Sequence, residues 1–242
     1  MQKSQKIRLE SLDILRGFDL FLLVALHPIL IGIAALWSNP SMDVLMYQFD
    51  HESWAGFRLW DIIMPLFLFI TGTAIPFSLD NQKINPSASL YMNLVRRFIV
   101  LWILGMIIQG NLLGFDWHYI KLYSNTLQAI AIGYLVASIL YLNLNIRSLY
   151  VTVVGLLIVY SVPFLMDNDF SEQHNFAMRV DKQVLGYLMD GAYWNESGNW
   201  TFSPSYNYTW IWSSLTFVVS VMTGCLAGKY IKDNKDKYTT RI

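Results

Sequence analysis

Six apolar runs alternate with polar segments along the chain: Phe18–Trp37, Leu59–Leu79, Phe98–Phe115, Asn125–Leu144, Leu149–Met166 and Tyr208–Gly228. Folded as a helix rising about 1.5 Å per residue, each is long enough to cross the hydrocarbon core of a bilayer. The pattern predicts an all-α polytopic membrane bundle of six transmembrane helices, read as a single transmembrane domain over residues 1–242. The first run lacks the short apolar core and small-residue cleavage site of a signal peptide, so it reads as a retained span. The turn 145–148 is short enough to make spans four and five antiparallel neighbours. Residues 167–207 form one long loop, rich in Trp and Tyr.

Composition sharpens the class. The chain is 55% apolar and only 14% charged, which excludes an ordinary soluble domain. Its 15% aromatic content suits rings placed at membrane–water interfaces. A formal net charge of zero gives no electrostatic footprint for nucleic acid. The single Cys225 cannot form an intrachain disulfide, and no Cys/His spacing suits a metal. Basic residues set the expected orientation. With the N-terminus inside, the cytoplasmic side holds Lys3, Lys6, Arg8, Arg16, Lys83, Arg96, Arg97, Arg147, Lys229, Lys232, Lys235, Lys237 and Arg241. The far side holds only Arg58, Lys121, Arg179 and Lys182. This bias predicts N-in, C-in, with the 38–58 and 167–207 loops non-cytoplasmic.

Polar groups at or inside apolar spans carry the chemistry, because they are expensive in lipid and face protein or a wet cavity. His51 precedes the second span and Asp61 lies in its first turn. A histidine is a base near neutral pH, and a carboxylate can orient and charge-stabilise it. Asp61 also reads as a helix-start acid favoured by the helix dipole. Asp19 and His27 lie on neighbouring faces of the first span, suited to a buried hydrogen bond or a site. Asp13 and Arg16, three apart, read as an interfacial pair. Gln109, Asn111 and Gln128 suit interhelical hydrogen bonds, with Gln128 also a binding candidate. The aromatic residues of 167–207 fit either an acceptor lid or an interfacial belt. Asn195-Glu196-Ser197, Asn199-Trp200-Thr201 and Asn207-Tyr208-Thr209 match the glycosylation pattern, which carries no meaning in a bacterial protein.

The order Arg8-Leu9-Glu10-Ser11-Leu12-Asp13-Ile14-Leu15-Arg16-Gly17, then His51-Glu52-Ser53-Trp54-Ala55-Gly56, then Asp61 with Pro65-Leu66-Phe67-Leu68-Phe69-Ile70-Thr71-Gly72, resembles the heparan-α-glucosaminide N-acetyltransferase family. Asn125-Thr126-Leu127-Gln128-Ala129-Ile130-Ala131-Ile132-Gly133-Tyr134 and the Gly224…Gly228 end of span six resemble further family segments. The chain departs from the family pattern at His27, where members carry asparagine. It departs again at Ala129, where they carry arginine, and in a longer loop between His27 and His51. Members also have more spans, so the expectation is the N-terminal portion of a bacterial relative, incomplete at its C-terminus and seated in the inner membrane.

The resemblance implies transfer of an acetyl group from cytosolic acetyl-CoA to an amino sugar or related glycan on the far side. It puts the catalytic histidine on His51 and its carboxylate on Asp61. Trp54, His27, Asp19 and Gln128 are the substrate-binding candidates. Arg16, Arg96 and Arg97, with Lys83, are candidates for the phosphates of CoA, as guanidinium groups bind phosphate bidentately. Either direct transfer or an acetyl-histidine intermediate fits the chemistry. No metal and no nucleic acid are expected; the expected partners are the glycan acceptor, the bilayer and, as an open alternative, a second copy in a homodimer. A proton-coupled permease using Asp19 and His27, and a non-catalytic scaffold, are the competing readings.

Overall fold

The computed structural model describes residues 10–37, 39–114, 116–206 and 208–234. Lys3, Lys6, Arg8, Lys235, Lys237, Arg241 and Asn207, used above, lie outside the described residues. Among those described, six helices are long and apolar enough to cross a membrane. They are α1 (Ser11–Leu36), α3 (Leu59–Gln82), α4 (Ala88–Ile108), α5 (Thr126–Asn143), α6 (Ile146–Asp167) and α8 (Ser214–Asp233). Two shorter helices, α2 (Pro40–Gln48) and α7 (Phe176–Leu185), lie in the loops. A hairpin pairs β1 (Ala192–Trp194) with β2 (Trp200–Phe202), antiparallel. The expected all-α bundle of six apolar helices is observed.

Caps place the helix starts. Asn39, Ser87, Asn125, Asn145 and Asn175 each accept a backbone N–H with the side-chain oxygen, satisfying a donor the first turn leaves open. Ser87 moves the start of the third span from Phe98 to Ala88, so Arg96 and Arg97 lie within α4 rather than in a polar loop. Leu90 and Leu94 are buried while Arg96 and Arg97 are exposed, an amphipathic first half that hydropathy alone reads as polar. Span six begins at Ser214 rather than Tyr208 and carries Lys229 and Lys232 within the helix. The 167–207 segment contains α7 and the hairpin in addition to loop.

Helices α3, α5 and α8 form the centre, and α1, α4 and α6 flank them with mostly outward faces. The tightest seam joins α3 to α8. A Cβ placed on Gly72 would lie 1.9 Å from the Val221 carbonyl oxygen, and on Gly224 2.0 Å from that of Phe69. At Gly228 it would lie 2.3 Å from the Thr73 oxygen. Bare glycines let the two backbones touch, the usual way helices pack where lipid removes the hydrophobic drive between them. At one end of the bundle Asp80 of α3 accepts from Lys229 (2.9 Å), Lys232 (3.0 Å) and the Tyr141 hydroxyl. His51 and the long loop lie at the opposite end.

Candidate functional site

The segment after α2 turns sharply and places His51 over the first turn of α3. His51 Nδ1 lies 2.8 Å from Asp61 Oδ1. The other oxygen, Oδ2, accepts the Arg58 backbone N–H at 2.9 Å, which caps the start of α3. One carboxylate therefore both ends the helix and holds the imidazole. Because an ionised carboxylate only accepts, the proton on neutral His51 sits on Nδ1, and the Nε2 lone pair is left for chemistry. The His51 side chain is 53% exposed and that of Asp61 26%, so the ring is accessible while its partner is the more sheltered of the two.

A second set of bonds fixes the loop. Glu52 takes Arg58 Nε at 3.0 Å and Nη2 at 3.3 Å, a two-pronged ion pair. That pairing, with the Ser53 N–H, holds the Glu52 carboxyl below its usual range. The Arg58 guanidinium lies 3.9 Å over the Tyr47 ring. Gly56, at φ 157°, passes so close that a Cβ would lie 2.8 Å from Glu52 Cγ. Trp54 donates its indole N–H to the Phe170 carbonyl at 2.8 Å, tying the His51 loop to the segment after α6. Glu52 and Arg58 escaped the sequence reading; their spacing across the glycine is the local signal for such a pair.

His27 and Asp19 separate. A π-helical stretch, Leu22–Leu26, lies between them. His27 stacks on Trp60 with centroids 4.4 Å apart and lines a cavity of about 440 Å³ with Asp43, Asp50, Tyr47 and Arg58. Asp19 is wholly buried, and neither carboxylate oxygen has a hydrogen-bond partner among the described residues. It faces an apolar cavity of about 410 Å³ walled by Phe49, Trp60 and Leu66. Phe49 lines both cavities, so the two polar residues stand on opposite sides of an aromatic wall.

Gln128 is fully buried and uses both ends of its amide on the preceding loop, accepting from Ser124 N at 2.8 Å and donating to Leu122 O at 2.7 Å. Arg16 lies 3.7 Å from Asp13, as its spacing suggests. Arg97 lies 4.1 Å over the Tyr134 ring, and Arg96 is exposed on α4. The structure thus joins His51, Asp61 and Trp54 in one loop system with His27 beside it, and leaves Gln128 and the three arginines elsewhere. At the other end, Lys229 and Lys232 join Lys83, whose ammonium lies 4.2 Å over the Tyr141 ring, around Asp80. The spacing of Lys229 and Lys232, three apart at the end of an apolar helix, signals this grouping in the sequence.

Among the described residues no group of three or more His, Cys, Asp or Glu can hold a metal. No curated protein matches the chain. The sequence family described as Heparan-alpha-glucosaminide N-acetyltransferase, catalytic, matches residues 8–185, well over half of the chain and the whole of the His51 loop system. With six apolar helices and this match, the chain is an integral membrane protein that belongs to the heparan-α-glucosaminide N-acetyltransferase catalytic family, whose members take acetyl-CoA as donor.

Proposed function

We propose that this protein transfers the acetyl group of acetyl-CoA to the amine of an amino sugar or related glycan, with His51 as general base. The observation that carries the reading is the His51 Nδ1–Asp61 Oδ1 contact of 2.8 Å. As the amine nitrogen attacks the thioester carbonyl, its proton passes to Nε2 and the thiolate of CoA leaves. Asp61, already at Nδ1, stabilises the imidazolium that forms. Direct transfer needs only these two groups and is the simpler route. In this reading Trp54 and His27 flank the approach of the acceptor to the ring. In this reading the chain is N-in, C-in, and His51 faces away from the cytoplasm. CoA then enters from the opposite end, where Arg16, Arg96, Arg97 and the Asp80 lysines supply positive charge for its phosphates.

The test is acetyl transfer in membranes. Labelled acetyl-CoA and a panel of glucosamine-terminated acceptors are supplied to wild type and to His51→Ala. Product from wild type alone supports the reading; equal product from both removes His51 as base. Donor binding without product from any acceptor rejects the amino-sugar assignment and keeps the donor. The unpartnered Asp19 carboxylate favours a second reading, a proton-coupled permease. Proton-dependent solute uptake abolished by Asp19→Asn, with no acetyl transfer, would select it.

A further inference from the structure

A second cleft opens on the loops at the His51 end of the bundle, between the segment after α4 and the turn before β1. Its volume is about 420 Å³, and it is lined by Gln109, Asn111, Asp116, Tyr119, Lys121 and Asp190. None of these residues belongs to the His51 loop system. Asn111 is 7% exposed, and its Nδ2 has no hydrogen-bond partner among the described residues. A buried amide left unpaired is costly unless a ligand or water completes it.

The rest of the lining is built with fixed polar groups. Asp116 Oδ1 takes both the ring Nδ1 (2.6 Å) and the backbone N–H (3.0 Å) of His118, so neither of these bonds uses Oδ2. Lys121 is buried and donates to the carbonyls of Tyr187 (3.4 Å) and Ala192. Asp190 is held by the Tyr206 hydroxyl and attracted to Lys121. Tyr206 in turn accepts the Trp210 indole N–H at 2.7 Å. Aromatic rings stand around these groups. Trp117, 55% exposed, lies just beyond the lining, tilted against His118 with centroids 3.8 Å apart and edge-on to Trp194 at 5.3 Å. Tyr119 lines the cleft and is exposed.

Amides and carboxylates in fixed positions, with exposed aromatic faces beside them, match the two surfaces of a pyranose: a rim of hydroxyls and an apolar C–H face. A belt of rings serving only the bilayer interface would not need the orphaned amide or the paired carboxylates. Lys121, the one ammonium in the lining, is already bonded to two carbonyls and stands beside two acidic side chains, so a sulfate or phosphate finds little compensating charge. We propose that this cleft is a saccharide-binding site separate from the His51 loop system, selective for uncharged or amine-bearing sugars over sulfated or phosphorylated ones. The proposal goes beyond the transferase reading, since it does not depend on turnover at His51.

The test measures binding with His51→Ala protein in detergent, followed by tryptophan fluorescence. The probes are a β-1,4-linked N-acetylglucosamine trimer, its fully deacetylated counterpart and a sulfated disaccharide. Saturable binding of one or both of the first two is expected, with the sulfated sugar weaker by about tenfold or more. Asn111→Ala, and separately the surface change Trp117→Ala, are expected to weaken it by about tenfold or more. Trp117→Tyr, which keeps an aromatic face, is expected to restore most of it. Absence of binding, equal binding of the sulfated sugar, or binding untouched by both substitutions overturns the proposal. Binding that disappears with Trp54→Ala and survives Asn111→Ala and Trp117→Ala assigns the sugar to the His51 loop system, and overturns this site while leaving the transferase reading in place.

Discussion

Replacing Gly224 by alanine tests whether the α3–α8 seam holds the site in place. In an isolated helix this change stabilises, by about 1 kcal/mol, because glycine has the larger conformational entropy to lose. Here the added methyl would lie 2.0 Å from the Phe69 carbonyl oxygen and 2.8 Å from its carbon. An ordinary carbon–oxygen contact is about 3.3–3.6 Å, so the two backbones must part by roughly 1 Å. The obstacle is main chain and cannot rotate aside. Overpacking of this kind costs about 1–3 kcal/mol and outweighs the propensity gain. Gly72 and Gly228 sit in the same seam, so parting at Gly224 loosens contacts along its length.

The assay uses the single cysteine. Cys225 follows Gly224 and is 2% exposed, packed in the central core. Gly224→Ala is expected to lower the thermal midpoint in detergent by about 3–10 °C and to speed alkylation of Cys225. Gly155→Ala is the control, because a Cβ there meets nothing within 4 Å. It should raise the midpoint slightly and leave Cys225 protected. If Gly224→Ala matches Gly155→Ala in both readouts, the close approach of α3 and α8 is refuted.

Three further outcomes are expected. Asp61→Asn keeps an acceptor for the Arg58 N–H but loses the charge behind His51; transfer should fall by about 10²–10⁴-fold with the melting curve unchanged. Asp181, wholly buried on α7, accepts the N–H groups of Trp210 (2.5 Å) and Ile211 (3.0 Å), yet burial raises its pKa to about 6 from 3.8. Its folded form favours the proton, so its contribution is greatest below about pH 4 and falls by about 3 kcal/mol as pH rises through about 6. Hydrogen exchange of α7 should accelerate across that window in wild type and lose the pH slope in Asp181→Asn. Glu52→Gln removes the ion pair with Arg58 and should speed proteolytic cleavage within residues 49–58, with the global melt little changed.

What could be read from the sequence was whatever depends on near neighbours. Six apolar runs gave six helices because length and hydropathy are local properties. His51 and Asp61 were legible as a pair because nine intervening residues bring a loop back over a helix start, and a carboxylate in a first turn is favoured there on its own account. Errors in the boundaries share one cause. The polar first half of α4 and the basic end of α8 are helical through caps and tertiary contacts, such as Ser87 with Leu90 and Asp80 with Lys229, that a hydropathy window does not weigh. The separation of Asp19 from His27 was not legible either. Eight residues on a regular helix put them near one face, but the π-helical stretch and the Trp60 ring intervene.

The site itself stands on long-range contacts. Asp61 is fixed only as well as the first turn of α3, and α3 is fixed by its glycine seam with α8, more than a hundred residues on in the chain. The loop above it is pinned at Trp54 by a carbonyl of residue 170. Chemistry at His51 is therefore coupled to packing in the middle of the bundle and to the loop after α6. A substitution at Gly72, which bears no reactive group, should disturb the imidazole more than one at exposed Arg96, which the sequence singles out.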